Sequence, residues 1–129
     1  MKKWILLILA VLFLTACGQE KENDREAVYV NITAQEAKQI MDSEKGYIIL
    51  DVRTQEEFDQ GHIPGAILIP DSQIREKAET VLTDKDQLLL VYCRSGRRSK
   101  LAAEALVELG YTNIKEFGGI IDWPYEVEK

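Results

Sequence analysis

From residue 28 onward, short apolar runs alternate with segments whose apolar positions recur at the spacing of a helix. Five runs rich in valine, isoleucine and leucine predict strands, at residues 28–32, 47–50, 67–69, 88–92 and 114–117. The runs at 47–50 and 88–92 are continuous, which is typical of strands covered on both faces. The alternation predicts an α/β fold with a central, largely parallel five-stranded sheet and helices on both faces.

Two helix starts are marked by paired capping residues. Thr33 with Glu36, and Thr54 with Glu57, have the spacing at which each side chain accepts a hydrogen bond from the backbone N–H of the other residue. A third helical segment is expected at about residues 72–82. The fourth helix is expected to begin at Ser99, to end at Gly110, and to turn five residues toward the core: Leu101, Ala102, Ala105, Leu106 and Leu109.

Residues 1–16 have the pattern of an export signal, in which two lysines precede eleven consecutive apolar residues at positions 4–14. A membrane-spanning helix needs about 20 residues, so this run better fits the apolar part of a signal peptide. The sequence Leu14-Thr15-Ala16-Cys17 resembles the lipobox of bacterial lipoproteins. The resemblance implies a lipoprotein signal peptide at residues 1–16, cleavage before Cys17, and a lipid on the Cys17 thiol.

The residues after Cys17 are polar and mixed in charge, which predicts a flexible tether. The chain would then consist of the lipidated Cys17 with its tether at 17–27 and one folded domain at 28–129. This organisation predicts a domain anchored by lipid at the extracytoplasmic face of the cell membrane. The alternatives are a plain N-terminal membrane anchor and a cleaved signal in which Cys17 is incidental, and both still export the domain.

The charge balance argues against one large class of partner. The chain of 129 residues has a formal net charge of −6, and the part after residue 16 carries 14 basic and 22 acidic residues. An acidic domain is poorly suited to the phosphate backbone, so no nucleic-acid partner is expected. The length suits a single domain, which we expect to be a monomer.

Cys93 is the candidate reactive residue. The simplest interpretation of two cysteines, Cys17 and Cys93, in an exported protein is a disulfide. Cys93, however, follows a buried-type strand and opens a short loop toward a helix, where open α/β sheets bind ligands. Four basic residues follow it closely: Arg94, Arg97, Arg98 and Lys100. Such charges lower the pKa of a thiol, and Gly96 lets the loop N–H groups converge, so the pattern predicts a thiolate in an anion-binding turn.

The same loop carries a resemblance to a known family. The sequence Cys93-Arg94-Ser95-Gly96-Arg97-Arg98-Ser99 is similar to the active-site loop of rhodanese domains. Residues 51–58 with 61–66 look like the family's second signature, and Gly118-Gly119 with Trp123 looks like its third. Because the motifs occur in family order, the chain resembles a single-domain rhodanese lipoprotein of the thiosulfate sulfurtransferase type.

The resemblance implies that a sulfane sulfur from a donor such as thiosulfate forms a persulfide on Cys93 and then passes to a thiophilic acceptor, cyanide or a thiol. Six loop residues would bind the small anionic donor: Arg94, Ser95, Gly96, Arg97, Arg98 and Ser99. Arg98 has the alternative of pairing outside the pocket. Asp51 and Arg53 would brace the loop as a pair, and no metal or cofactor is expected.

Three other functions fit parts of the pattern. A cysteine phosphatase or arsenate reductase uses a Cys-x5-Arg loop, whereas Arg98 gives Cys-x4-Arg here, a shorter loop that better suits a sulfur atom. A persulfide carrier with little turnover on free thiosulfate stays open. A non-catalytic docking domain is the third, although such domains commonly lose the cysteine. His62, the only histidine, fits hydrogen bonding in a turn better than a catalytic base, and Trp123 fits core packing.

Overall fold

The structure is a computed structural model and describes residues 28–129. Its five strands are β1 (Val30–Asn31), β2 (Ile48–Asp51), β3 (Ile67–Leu68), β4 (Leu89–Cys93) and β5 (Ile114–Gly119). They form one sheet in the order β1-β5-β4-β2-β3, and every neighbouring pair is parallel. The predicted five-stranded α/β sheet is therefore confirmed. The signal peptide, the lipidated Cys17 and the tether expected at residues 1–27 lie outside the described residues.

Helices cover both faces of this sheet, as predicted. In the described range they are α1 (Ala34–Ser43), α2 (Gln55–Gln60), α3 (Ile74–Val81) and α4 (Arg97–Glu108). Residues of α3 and α4 share one buried cluster with Leu89 and Val91 of β4. Ala37 of α1 shares a second cluster with Leu90 and Tyr92, which point to the opposite face because side chains alternate along a strand. None of these helices has the length and apolar character needed to cross a membrane.

Both predicted capping boxes are present. Thr33 Oγ1 accepts a hydrogen bond from the Glu36 N–H at 3.1 Å, and Thr54 Oγ1 accepts one from the Glu57 N–H at 3.2 Å. These bonds satisfy N–H groups that have no partner within the first helical turn, which fixes where α1 and α2 begin. The segment expected as a helix at about 72–82 contains a 3₁₀ turn at Asp71–Gln73 before α3.

The start of α4 differs from the prediction. The helix begins at Arg97 rather than Ser99, because Gly96 takes the cap position in the left-handed conformation, with φ of 108°. Leu101 is 52% exposed, so the expectation that it faces the core was wrong. It lies one helical turn after the exposed Arg97, on the same side of the helix. The core-facing side is instead formed by Ala102, Ala103, Ala105 and Leu106.

The end of β5 contains an irregularity beside the cysteine loop. Val91 pairs with Glu116, but Cys93 pairs with Gly119, so β5 has one more residue than β4 across this interval. Gly118 accommodates the extra residue with a positive φ of 83°. The carboxyl ends of β4 and β5 and the start of α4 therefore meet at one place.

Candidate active site

Cys93 is the last residue of β4, and residues 94–96 connect it to α4. The residue is 1% exposed, and its thiol has no disulfide partner within residues 28–129. The left-handed turn at Gly96 points the Gly96 N–H back at the sulfur, to which it donates a hydrogen bond at 3.0 Å. The loop thus places a donor on Cys93 Sγ at the amino end of a twelve-residue helix.

The surroundings of the sulfur lower the pKa of the Cys93 thiol below its ordinary value. Burial alone raises this pKa, but the Ser99 side chain and the backbone N–H groups of Ser99, Gly96 and Ser95 lower it by more. The sequence predicted contributions from the arginines, the loop N–H groups and the helix end together. Of these, the hydrogen bonds of the loop contribute most, because they reach the sulfur directly.

A buried carboxyl lies behind the loop, and sequence reasoning missed it. Ser99 Oγ lies 3.3 Å from Cys93 Sγ and 2.6 Å from Glu116 Oε1. Glu116 is 0% exposed, and its Oε1 also accepts a hydrogen bond from the Gly118 N–H at 2.8 Å. The Asn31 side-chain amide donates to Glu116 Oε2. The sequence did contain a signal, since a glutamate two residues after the core residue Ile114 of the same strand needs polar partners.

The two glycines of the third motif allow the loop to lie directly on β5. A Cβ atom on Gly119 would be 1.9 Å from the carbonyl oxygen of Arg94, so no side chain fits at this position. That carbonyl accepts a hydrogen bond from the Ile121 N–H at 3.2 Å. The predicted motif at Gly118-Gly119 therefore has a packing role beside the cysteine loop.

The arginines of the loop differ in their surroundings. Arg98 makes a bidentate ion pair with Glu57 of α2, with nitrogen–oxygen distances of 2.6 and 2.9 Å. Arg98 thus has a partner on α2, and both substrate binding by Arg98 and its alternative of pairing outside the pocket stay predictions. Arg94 and Arg97 are exposed and have no ion-pair partner within residues 28–129. Of the six loop residues, these two have guanidinium groups available for an anion.

Arg94 also lines a cavity of about 450 Å³ between residues of α2 and the C-terminal segment. Arg53 and Glu57 line its polar part, and Ile121 and Tyr125 contribute to its apolar part. Cys93 itself is not among the residues that line this cavity. A small anion drawn to Arg94 would therefore approach the loop from the side of α2 and the C-terminal residues.

Asp51 and Arg53 form the predicted ion pair. Arg53 Nη2 lies 2.7 Å from Asp51 Oδ2 and donates a second hydrogen bond to the Gly61 carbonyl, also at 2.7 Å. The Tyr92 hydroxyl donates to Asp51 Oδ2 at 2.7 Å and accepts from the Ile63 N–H at 3.0 Å. The pair holds the residue before Cys93 and the turn that begins at Gly61, so it braces the end of β4 rather than the loop itself.

His62 and Trp123 have the structural surroundings expected of them. The His62 ring stacks on Phe58 at a centroid distance of 3.8 Å, and His62 Nδ1 lies 2.9 Å from the Phe58 carbonyl oxygen. Its Nε2 faces Glu128 of the C-terminal segment at 3.3 Å, so both ring nitrogens have structural partners. Trp123 is buried and packs against Phe117.

The fold and the site together define a class of protein: a parallel α/β domain that presents a buried cysteine in a short loop before a helix. Comparison with known proteins narrows the class. A profile of the rhodanese-like domain family matches residues 33–124. The chain belongs to the rhodanese-like domain family.

Two curated bacterial proteins illustrate the sequence similarity. The thiosulfate sulfurtransferase PspE of Escherichia coli is 42% identical over 73 residues, which are 57% of this chain and 70% of that protein. The putative sulfur carrier protein YrkF of Bacillus subtilis is 33% identical over 112 residues, which are 86% of this chain and 60% of that protein. The relatives thus include both a sulfurtransferase and a protein named as a carrier.

Solved structures show the same fold. A structure described as a rhodanese with anions from E. coli has 38% identity and a TM-score of 0.61, over 64% of this chain and 98% of that chain. A rhodanese-related protein from Thermoplasma volcanium has 34% identity and a TM-score of 0.67, over 78% of this chain and 98% of that chain. Sulfur transfer in general is the activity that the family and these relatives support.

Proposed function

We propose that the protein is a sulfurtransferase that moves a sulfane sulfur from a donor such as thiosulfate to cyanide or a thiol through a persulfide on Cys93. One observation carries the proposal. Cys93 Sγ accepts a hydrogen bond from the Gly96 N–H at 3.0 Å inside a loop that lowers the pKa of the thiol. The same turn therefore contains a nucleophilic sulfur and a hydrogen-bond donor that can stabilise negative charge on it.

The reaction has two steps. The Cys93 thiolate attacks the outer sulfur of thiosulfate, a sulfur–sulfur bond forms on Cys93, and sulfite leaves with the electron pair of the broken bond. The acceptor then attacks the outer sulfur of the persulfide, and the thiolate of Cys93 is regenerated with that bond's electron pair. The exposed Arg94 and Arg97 would attract the dianionic donor, while the Gly96 N–H would stabilise charge on the reacting sulfur.

The proposal is tested with the full chain purified in detergent. After incubation with thiosulfate, the peptide that contains Cys93 should gain about 32 Da, the mass of one sulfur atom, and Cys93→Ser should gain nothing. Addition of cyanide should release thiocyanate and remove the added mass. A native protein that gains no mass with thiosulfate, polysulfide or a persulfidated thiol would contradict sulfur transfer through Cys93.

A carrier role is the second candidate, because one relative is named a putative sulfur carrier. A carrier would accept sulfur on Cys93 from a protein partner and turn over free thiosulfate poorly. The distinguishing measurement is the number of thiocyanate molecules released per protein with excess thiosulfate and cyanide. Repeated turnover supports the enzyme, whereas a single release after loading supports the carrier.

We also propose that the domain works as a monomer on the extracytoplasmic face of the membrane, anchored by a lipid on Cys17. The lipobox-like sequence Leu14-Thr15-Ala16-Cys17 supports this location. In cells, the native chain should fractionate with membranes and be cleaved by protease added to spheroplasts. Cys17→Ser should lose the lipid mass. A native chain that carries no lipid would contradict the anchor, and a dimer by light scattering would contradict the monomer.

A further inference from the structure

The hydroxyl of Ser99 lies between two acids, the Cys93 thiol and the Glu116 carboxyl. Ser99 Oγ is 3.3 Å from Cys93 Sγ and 2.6 Å from Glu116 Oε1. A hydroxyl has one proton and two acceptor lone pairs. It can therefore donate to the carboxylate or to the thiolate, but not to both. The direction of this chain of hydrogen bonds depends on which of its two ends carries a proton.

Ser99 Oγ also lies 3.0 Å from the Gly96 carbonyl oxygen and 3.3 Å from the Gly118 carbonyl oxygen, but an anion is the stronger acceptor, so each protonation state favours one arrangement of the Ser99 proton. If Glu116 is ionised, Ser99 donates to Oε1 in the shorter, charge-assisted contact and accepts a hydrogen bond from the Cys93 thiol. If Cys93 is ionised, Ser99 donates to the sulfur, and Glu116 must then be protonated to donate to Ser99. Two charged ends would place two anions on one hydroxyl between residues that are 0% and 1% exposed, which is costly in a buried site.

We propose that Glu116 is the proton partner of Cys93 and that the two groups share one proton through Ser99. As the proton moves from Cys93 Sγ to Ser99 Oγ, the proton of Ser99 moves to Glu116 Oε1. One S–H and one O–H bond break, two O–H bonds form, and the total charge is unchanged. The resulting thiolate accepts hydrogen bonds from the Gly96 N–H and from Ser99. Glu116 acts through Ser99 and is a positioning residue.

The contacts of Glu116 suit this role. The Gly118 N–H and the Asn31 amide hold its two oxygens, so the carboxyl has a fixed orientation. The hydrogen bond from Gly118 comes from the backbone of the β-bulge in β5, next to the glycine on which the cysteine loop lies. The bulge therefore ties the position of the carboxyl to that of the loop.

Other charged groups face this pair from neighbouring elements. Burial, followed by the charges of Glu104 on α4 and Glu116, raises the pKa of Tyr29, which precedes β1. Arg98 on α4 interacts with the charge of Cys93, but both of its terminal nitrogens bind Glu57. Within residues 28–129, Glu116 is the ionisable group that a hydrogen-bonded chain connects to Cys93.

The first test measures the pH dependence of Cys93 alkylation by iodoacetamide in the full chain, followed by mass spectrometry of the peptide that contains Cys93. Glu116→Gln should lower the uppermost apparent pKa of this reaction by about one unit or more, because the buried like charge is removed. Glu104→Gln, which removes an exposed acid of α4, should leave it in place. An unchanged pKa in Glu116→Gln, or an equal shift in Glu104→Gln, overturns the proposal.

The second test uses chains that retain Glu116, so it does not depend on whether variants at position 116 fold. In the native chain, NMR signals of the Glu116 δ-carboxyl carbon and the Cys93 Cβ should each change in the same two titration steps, since a shared proton belongs to the pair. In Cys93→Ala the carboxyl should titrate once. A Glu116 signal that changes only in the lower step, with Cys93 changing only in the upper, overturns proton sharing. Neither test uses a sulfur donor, so failure here leaves the proposed function intact, and the reverse also holds.

Discussion

At the scale of single residues, the tightest requirement is at Gly119. Its φ of −138° is available to any residue, but an added Cβ would lie 1.9 Å from the Arg94 carbonyl oxygen. Backbone cannot yield as a flexible side chain does, so the cysteine loop must move. Gly119→Ala should cost about 2–3 kcal/mol of unfolding free energy, at the upper part of the range for overpacking, and slow the alkylation of Cys93.

Gly118→Ala is the matched control. Gly118 has a positive φ of 83°, but a Cβ there meets no atom within 4 Å. Its substitution should cost only the left-handed strain of about 1–2 kcal/mol and leave the alkylation rate of Cys93 nearly unchanged. Urea unfolding and alkylation of both variants check this expectation. If Gly119→Ala were no more disruptive than Gly118→Ala, the loop would not depend on this close contact.

The same scale shows what the sequence could predict of the site. Cys93 and its loop are contiguous, so their chemistry is visible in seven consecutive residues. Glu116 is 23 residues away from Cys93 along the chain and reaches the site through strand register and a β-bulge. The Glu57–Arg98 pair likewise depends on how α2 and α4 meet. Such partners follow from tertiary packing, which local patterns do not encode.

At the scale of elements, the Glu57–Arg98 pair links α2 to α4. The hydrogen bonds from Arg98 have the largest effect on the pKa of Glu57 and lower it. Burial raises this pKa, but the hydrogen bonds from Thr54 lower it further, to about 2. A lowered carboxyl pKa stabilises the fold above the unfolded value of about 4.3. This stabilisation is lost as the pH falls through about 2. Glu57→Gln should therefore cost about 1 kcal/mol at neutral pH, as partly exposed pairs do, and less as the pH approaches 2.

Urea unfolding of the native chain and Glu57→Gln at a series of pH values measures this difference. Glu56→Gln is the neighbouring control, because Glu56 is exposed and lies in the same helical turn. The unfolding free energy of Glu56→Gln should equal that of the native chain at each pH value. A destabilisation of Glu57→Gln that stays constant down to pH values near 2 would show that the ion pair is not its cause.

Helix starts show how far elements could be predicted. The capping boxes at Thr33 and Thr54 place α1 and α2 correctly, because they are local hydrogen-bond patterns. The start of α4 was predicted two residues late, since Gly96 caps this helix through backbone conformation alone. Leu101 of the same helix faces solvent, which the apolar character of the residue did not predict.

At the scale of the whole molecule, the fold class follows from the alternation of apolar runs and helical segments. Two continuous runs predicted strands covered on both faces, and β2 and β4 are adjacent in the interior of the sheet. The order β1-β5-β4-β2-β3 places strands that are distant along the chain side by side, and no single segment of the sequence contains it. The buried polar residues at the carboxyl ends of the strands connect these distant segments.

Asp51 and Arg53 connect more of the molecule than any other predicted pair, since their hydrogen bonds join β2, Tyr92 of β4 and the turn at Gly61. Asp51 is 0% exposed, so removal of Arg53 leaves a buried charge without its ion-pair partner. Arg53→Met should cost about 3–5 kcal/mol, a large part of the roughly 5–15 kcal/mol that stabilises a small domain. Arg75→Met, whose partner Glu108 is exposed, should cost at most about 1 kcal/mol. Adding Asp51→Asn to Arg53→Met should restore part of the lost stability, measured by urea unfolding, because the unpaired buried charge is gone. A double variant that is less stable than Arg53→Met would show that the unpaired charge is not the cause of the loss.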